Sequence, residues 1–250
     1  RPKTLFINFR LHWRDRGLPL LFAEGFLLMG SFVTLFNYIG YRLMLSPWEL
    51  SQAVVGLLSV AYLTGTWSSP KAGSMTTRYG RGPVMLFSTG VMLVGLLMTL
   101  FTSLWLIFAG MLLFSAGFFA AHSVASSWIG PRAKRAKGQA SSLYLFSYYL
   151  GSSIAGTLGG VFWHSYGWNG VGGFIALMLC AALLVLLIKQ IWPQLGILAV
   201  IALVAPLLAL LFMPSQGRGA ALKRQVVERF PAIGGQLVLF LGAGLLAAGI

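Results

Sequence analysis

Four side chains set within long apolar runs carry most of the chemistry this sequence can offer: Glu24, His122, Tyr144 and Tyr148. An ionisable group inside a membrane-length apolar run is costly to hold there, which makes it a functional candidate from the outset. Glu24 stands six residues into the first such run, about 9 Å along a helix axis. At that depth a carboxyl can keep a proton at neutral pH and exchange it as its surroundings change. The alternative is a carboxylate that snorkels to the headgroups or pairs with a basic loop residue. His122 lies at a similar remove from the end of its own run and titrates near physiological pH; its alternative is a hydrogen-bonded packing histidine. Glu24 and His122 are thus the proton-coupling candidates.

A second set is polar without being acid-base. Asn37 and Tyr38 can exchange hydrogen bonds with a polar solute, and Arg42, one turn further on, can attract an anion or anchor to lipid phosphate. Tyr144 and Tyr148 share a helix face by their four-residue spacing, whereas Tyr149 does not. They line a solute path or pack on neighbours. No Gly-x-x-x-x-Gly-Lys-Ser/Thr loop is present to cradle phosphate, and no Gly-x-Ser-x-Gly elbow accompanies the serines. Three scattered histidines, one cysteine and four acidic residues make no metal-ligand cluster. The expectation is a protein that is not an enzyme, with no cofactor and no metal, in which uphill movement draws on an ion gradient.

The elements that must position these residues are membrane spans. Hydrophobic residues make up 58% of the chain and charged residues 9%, a balance a soluble domain of 250 residues could not hide from water. The net charge of +14 raises nucleic acid as a partner, but the basic residues fall between apolar runs, which points to membrane orientation and anionic lipid instead. Cys180, the single cysteine, lies inside an apolar run, where packing is its expected role and an intrachain disulfide is impossible. The expected fold is all-α and polytopic, with spans over about 18–45, 51–70, 83–101, 105–128, 139–163 and 170–187. The second is expected to bend or end near Pro70. With the amino end cytoplasmic, the inner segments 1–17, 71–82, 131–137 and position 189 hold 13 of the first 14 Lys and Arg. Arg42 is the exception. That asymmetry predicts six crossings with both ends inside.

Between the second and third runs lies Gly73-Ser74-Met75-Thr76-Thr77-Arg78-Tyr79-Gly80-Arg81-Gly82-Pro83. It reads as a tight basic hairpin, with Gly80 and Gly82 easing the reversal and Pro83 suited to the first turn of the next helix. This stretch resembles the signature loop of the major facilitator superfamily: Gly73, Arg78, Gly80 and Arg81 match, while Thr77 stands where the family has aspartate and Gly82 where a second basic residue is common. Those departures point to the carboxyl-terminal half. The run Lys137-Gly138-Gln139-Ala140-Ser141-Ser142-Leu143-Tyr144, continuing through Gly151 to Gly159-Gly160, resembles the family's penultimate loop and helix, and Tyr166-Gly167-Trp168 the outer loop after it.

The resemblance, over residues 1 to about 189, implies a six-helix half of a secondary transporter that works by alternating access in the bacterial inner membrane. It implies a missing amino-terminal six-helix half as partner, with membrane lipid and a small-molecule solute. It places Asn37 and Tyr38 on a cavity-lining helix. It makes Gly73, Thr77, Arg78, Gly80 and Arg81 a gating loop packed at the start of the penultimate helix, where Thr77 can hydrogen-bond but brings no charge to meet the helix dipole, so the conformational latch is weaker. Gly151, Gly156, Gly159 and Gly160 belong to a small-residue face that lets helices approach closely in lipid. A proton-coupled exporter follows from the buried carboxylate joined to this resemblance. The alternative is a noncatalytic membrane subunit whose glycine-rich fifth span docks a partner.

Residues 190–250 fit this scheme less well. A seventh apolar run, about 195–213, would put Arg218, Lys223, Arg224 and Arg229 on the outer side, against the charge rule. A foreign or truncated segment is the expectation, with one or two additional apolar, membrane-associated segments; the alternatives are a seventh run that does not cross and a tolerated exception to the charge rule. Leu222, Val226 and Phe230 at four-residue spacing suggest a surface-lying amphipathic helix within it.

Overall fold

A computed structural model describes residues 2–191, with side chains over residues 7–187. The tail, its seventh run and its amphipathic stretch lie outside the described residues. The described chain is helical: α1 (Pro2–Arg14), α2 (Leu18–Met44), α3 (Gln52–Gly56), a 3-10 segment (Leu57–Leu63), α4 (Thr64–Tyr79), α5 (Arg81–Met98), α6 (Leu104–Arg132) and α7 (Lys137–Ile191). Four of these are long and apolar enough to cross a membrane: Leu18–Met44, Arg81–Met98, Leu104–Arg132 and Lys137–Leu187.

Helix α7 is two limbs. At Gly167 the backbone takes φ 60° and ψ −146°, a conformation open to glycine without the cost a Cβ brings. Phe162 and Phe174 then stack with ring centroids 4.5 Å apart. In an unbroken helix twelve residues would separate them by about 18 Å, so the chain reverses here and 137–166 and 168–191 run back along one another.

The second predicted run departs most from expectation. It is divided among α3, the 3-10 segment and α4, and α4 carries Pro70 in its interior and continues to Tyr79. The polar stretch stays helical, with its hydroxyls bonded back onto their own turn. Ser74 donates to the Lys71 carbonyl (2.7 Å), Thr76 to Gly73 (2.7 Å) and Thr77 to Ser74 (2.6 Å). The expected hairpin over Gly73–Pro83 is therefore mostly helix, and the reversal is made at Gly80 (φ 83°).

Turns gather at two ends. At the basic end, Asp15 beside α2 meets Arg132 at the end of α6, and Arg81 of α5 lies over the Trp128 ring of α6 at 6.0 Å. At the opposite end, Trp48 after α2 donates through Nε1 to the Thr102 carbonyl after α5 (3.0 Å), and Trp168 donates to Thr99 (3.1 Å). Trp168 is thus buried, whereas its neighbour Tyr166 is exposed. Cys180 faces outward from the second limb of α7, not into the packed interior. Its apolar neighbours in sequence alternate between interior and surface as a helix requires, and position 180 falls on the surface arc.

Lipid tails are as apolar as leucine, so a bundle in lipid coheres through close packing and polar contacts. Here α2 is the central rod, packed most extensively along α7 and also against α6. Its interface with the first limb of α7 is built on missing side chains. A Cβ at Gly151 would fall 2.1 Å from the Phe26 carbonyl oxygen, and one at Gly159 would fall 2.5 Å from the Tyr38 ring. Gly30 faces back, 2.9 Å from the Ala155 methyl by the same construction. Helices α5 and α6 meet in the same way at Gly95, Gly110 and Gly117, where an added Cβ would lie 2.6 Å from a facing backbone atom.

Candidate functional site

The three glycine-spaced rods α2, α6 and α7 bring one acid, one imidazole and two phenols to one level near the basic end. Glu24 lies six residues into α2 and is buried, with 1% exposure. Beside it, Gly25 leaves room for the Tyr144 ring: a Cβ there would be 2.8 Å from Tyr144 Cε2. Tyr144, on the first limb of α7, is 2% exposed and within electrostatic reach of Glu24. Its hydroxyl is 2.9 Å from His122 Nδ1 on α6. Tyr148, one turn along α7, places its ring centroid 4.7 Å from the imidazole, and Phe118 stacks on the imidazole's own helix at 5.8 Å and 7°. The imidazole is thereby held between aromatic faces, with one ring nitrogen engaged by a hydroxyl.

A hydroxyl beside a neutral imidazole can donate to it or accept from it, as the tautomer requires. With Glu24 buried nearby, titratable groups from three helices are gathered at one level away from lipid. An aromatic lattice surrounds it: Phe32 lies 4.1 Å from Phe118, Tyr62 of the 3-10 segment 4.9 Å from Phe36, and Tyr148 5.2 Å edge-on to Tyr149. Among the described residues no group of three or more His, Cys, Asp or Glu could hold a metal ion.

Asn37 and Tyr38 sit three to four turns further along α2. The Tyr38 hydroxyl donates to the Gly156 carbonyl (2.8 Å), and its ring lies over Gly159 and Gly160. Asn37 is exposed beside Gly156, whose hypothetical Cβ would be 3.2 Å from Asn37 Nδ2. Tyr38 is thus a tie between α2 and α7, and Asn37 is the polar group presented outward at that level.

Arg42 is engaged elsewhere. Its guanidinium donates to the carbonyls of Thr99 and Phe101, the latter at 2.9 Å, and lies 4.8 Å from the Trp48 ring and 5.4 Å from that of Trp168. The carbonyl end of α5 is the negative end of its dipole and lacks intrahelical donors, so a cation is favoured there. Here its donors and charge serve the turns at this end of the bundle.

In the signature stretch, the Thr77 hydroxyl donates to its own helix at Ser74. Arg78 is exposed and stacks on Tyr79 at 5.2 Å. Gly73 has open space around it, unlike Gly80, where positive φ demands glycine.

Two features were not foreseen. One is the pairing of Arg132 Nε with Asp15 Oδ1 (2.7 Å), the same oxygen that accepts from the Gly17 and Leu18 N–H groups (2.8 Å each). Burial alone raises the Asp15 pKa, but the backbone donors and Arg132 outweigh it and hold the carboxyl below its ordinary value. A lone acid shortly before the Leu18-Pro19 helix start was the available sign of a cap. The other is the glycine contact between α5 and α6, signalled only by the seven-residue spacing of Gly110 and Gly117.

A bundle of membrane-length helices locked on glycine contacts around a buried acid, phenol and imidazole is a polytopic helical membrane protein. Residues 20–250 match the Major Facilitator Superfamily, and the chain belongs to that family. It is 95% identical over 185 residues to the inner membrane transport protein YnfM of Escherichia coli strain K12, covering 74% of this chain and 44% of that protein. It is 55% identical over 177 residues to an uncharacterized transporter of Buchnera aphidicola subsp. Schizaphis graminum, covering 71% of this chain and 43% of that one. With the uncharacterized MFS-type transporter YybF of Bacillus subtilis the identity is 47% over 172 residues, covering 69% and 43%. The chain spans less than half the length of each of these relatives. Membership in a transporter family sets it apart from enzymes.

Proposed function

We propose that residues 1–189 act as the carboxyl-terminal six-helix half of a secondary transporter that moves a small solute across the bacterial inner membrane by alternating access. Glu24, Tyr144 and His122 form its proton-exchange centre, and Asn37 faces the solute. The observation that carries this reading is the 2.9 Å contact between His122 Nδ1 and Tyr144 Oη, made between α6 and α7 beside a carboxyl buried on α2. Three helices of one half gather titratable groups near the basic end, so a rocking of the two halves that changes solvent access at that end changes how readily Glu24 holds a proton. Protonating Glu24 in one state and releasing it in the other couples solute movement to the proton gradient, with efflux as the favoured direction. Residues 1–189 work against a second six-helix half, and the basic end faces the cytoplasm. The first limb of α7 already spends its glycine face on α2, which weighs against its serving as a dock for a separate partner.

The test uses everted vesicles holding the complete transporter, with proton movement read by a pH-sensitive dye as candidate solutes are added. Glu24→Gln is expected to abolish solute-linked proton movement while the protein still reaches the membrane. Unchanged proton movement with unchanged pH dependence would refute the assignment.

A further inference from the structure

Helix α1 carries an unpartnered surface of a distinctive kind. Its inner side is His12, 3% exposed against the bundle. The rest of its circumference is three ridges at four-residue spacing. Phe9 and Trp13 form one, with ring centroids 6.0 Å apart; Arg10 and Arg14 form the next; Ile7 and Leu11 form the third, and all six side chains are exposed. Trp13 also meets Phe22 at 6.2 Å. Phe22 is four residues into α2, about 6 Å below its start, so the aromatic ridge is the one turned toward the membrane interior. The basic ridge then points sideways at the level where α2 begins, joined there by the exposed Arg16. Asp15, the acid in this segment, is already committed to Arg132 and the start of α2.

We propose that α1 is a lipid-docking helix, with Phe9 and Trp13 seated in the acyl boundary and Arg10, Arg14 and Arg16 binding the phosphates of anionic phospholipid. The occupant follows from the charge: a cationic ridge free of local acids, flanked by aromatic side chains of the kind that settle at a membrane interface, complements an anionic headgroup layer. The proposal rests on reading the basic end as a membrane surface, and its readout is depth, not transport, so it can fail or succeed apart from the proton-exchange assignment. Docked, α1 fixes the start of α2, the rod that carries Glu24, against the lipid.

The experiment places a nitroxide at Phe9→Cys or at Ile7→Cys on a Cys180→Ser background, because the native thiol is exposed. The full chain is reconstituted into vesicles of phosphatidylcholine alone or with one third phosphatidylglycerol. In the anionic vesicles the label at position 9 is expected to be relaxed by dissolved oxygen and shielded from a water-soluble nickel chelate, and the label at position 7 the reverse. Replacing Arg10 and Arg14 with Gln should lower the ratio of docked to undocked helix on the order of 30-fold. Amide hydrogen exchange over α1 in the protein without labels or substitutions should slow when phosphatidylglycerol is added. Equal exposure of both positions to the chelate in both vesicles would overturn the proposal. So would burial that is the same with and without anionic lipid, which would mean that protein covers this surface.

Discussion

Tyr144 of α7 meets His122 of α6 through a single oxygen. Tyr144→Phe keeps the ring beside Gly25 and removes only the contact to His122. Leaving the imidazole without that partner should cost about 1 to 3 kcal/mol, read as a lowered melting temperature of the complete protein in detergent. Asp15 sets a second test. Its carboxyl pKa is depressed in the fold, so its charge stabilises above the unfolded value of about 3.9 and that contribution is lost as pH falls through the lower folded value. Asp15→Asn should therefore be less stable than the parent at pH 7 and should converge with it below about pH 4. Asp15→Ala removes the cap as well, for about 1 kcal/mol more. At this scale the sequence was informative about which residues matter and silent about whom they meet. Glu24, His122 and Tyr144 stand out because ionisable or hydroxylated groups are conspicuous in apolar runs. Arg42 stands out equally, but whether a guanidinium meets lipid phosphate or the carbonyl end of a neighbouring helix depends on a contact 57 residues away in sequence.

Among elements, the interface between α2 and α7 leaves least room for change. Gly151→Ala would press a methyl against the Phe26 carbonyl and should cost about 1 to 3 kcal/mol or force the helices apart. Gly73→Ala is the contrast within the signature stretch: that glycine sits in a helix with nothing near its hypothetical Cβ, so stability should hold or rise by about 0.5 kcal/mol. Parallel thermal melts of the two variants check both. The long apolar runs and the glycine-rich stretch after Lys137 were legible because composition alone marks them. The run before Gly80 was not, since Pro70 and a string of Ser and Thr are local signals for a loop, yet α4 runs through them with the hydroxyls bonded back onto its own carbonyls.

The whole molecule has two differently built ends. The end opposite the basic turns is stitched by Arg42, which reaches Thr99, Phe101, Trp48 and Trp168 and so joins three turns. Arg42→Gln should loosen all three together, lowering stability by about 1 to 2 kcal/mol and speeding amide exchange at 45–51, 99–103 and 164–169 while the basic end is unaffected. The basic end has one ion pair among the described residues, Asp15 with Arg132, amid a surplus of positive charge. The assignment of sides by charge was readable in the sequence; the clasp that makes Arg42 the exception was visible only once the turns were brought together.

The most direct test of the proton-exchange centre needs no knowledge of the solute. Asn37→Cys in the complete transporter, with Cys180→Ser, is labelled by a membrane-impermeant maleimide in sealed vesicles at a series of pH values, with labelling rates corrected using a free thiol. If Glu24 links protonation to the state of the carrier, the corrected rate changes with pH and Glu24→Gln flattens that dependence. A corrected rate that still follows pH after Glu24→Gln, or that never varied with it, would contradict the assignment.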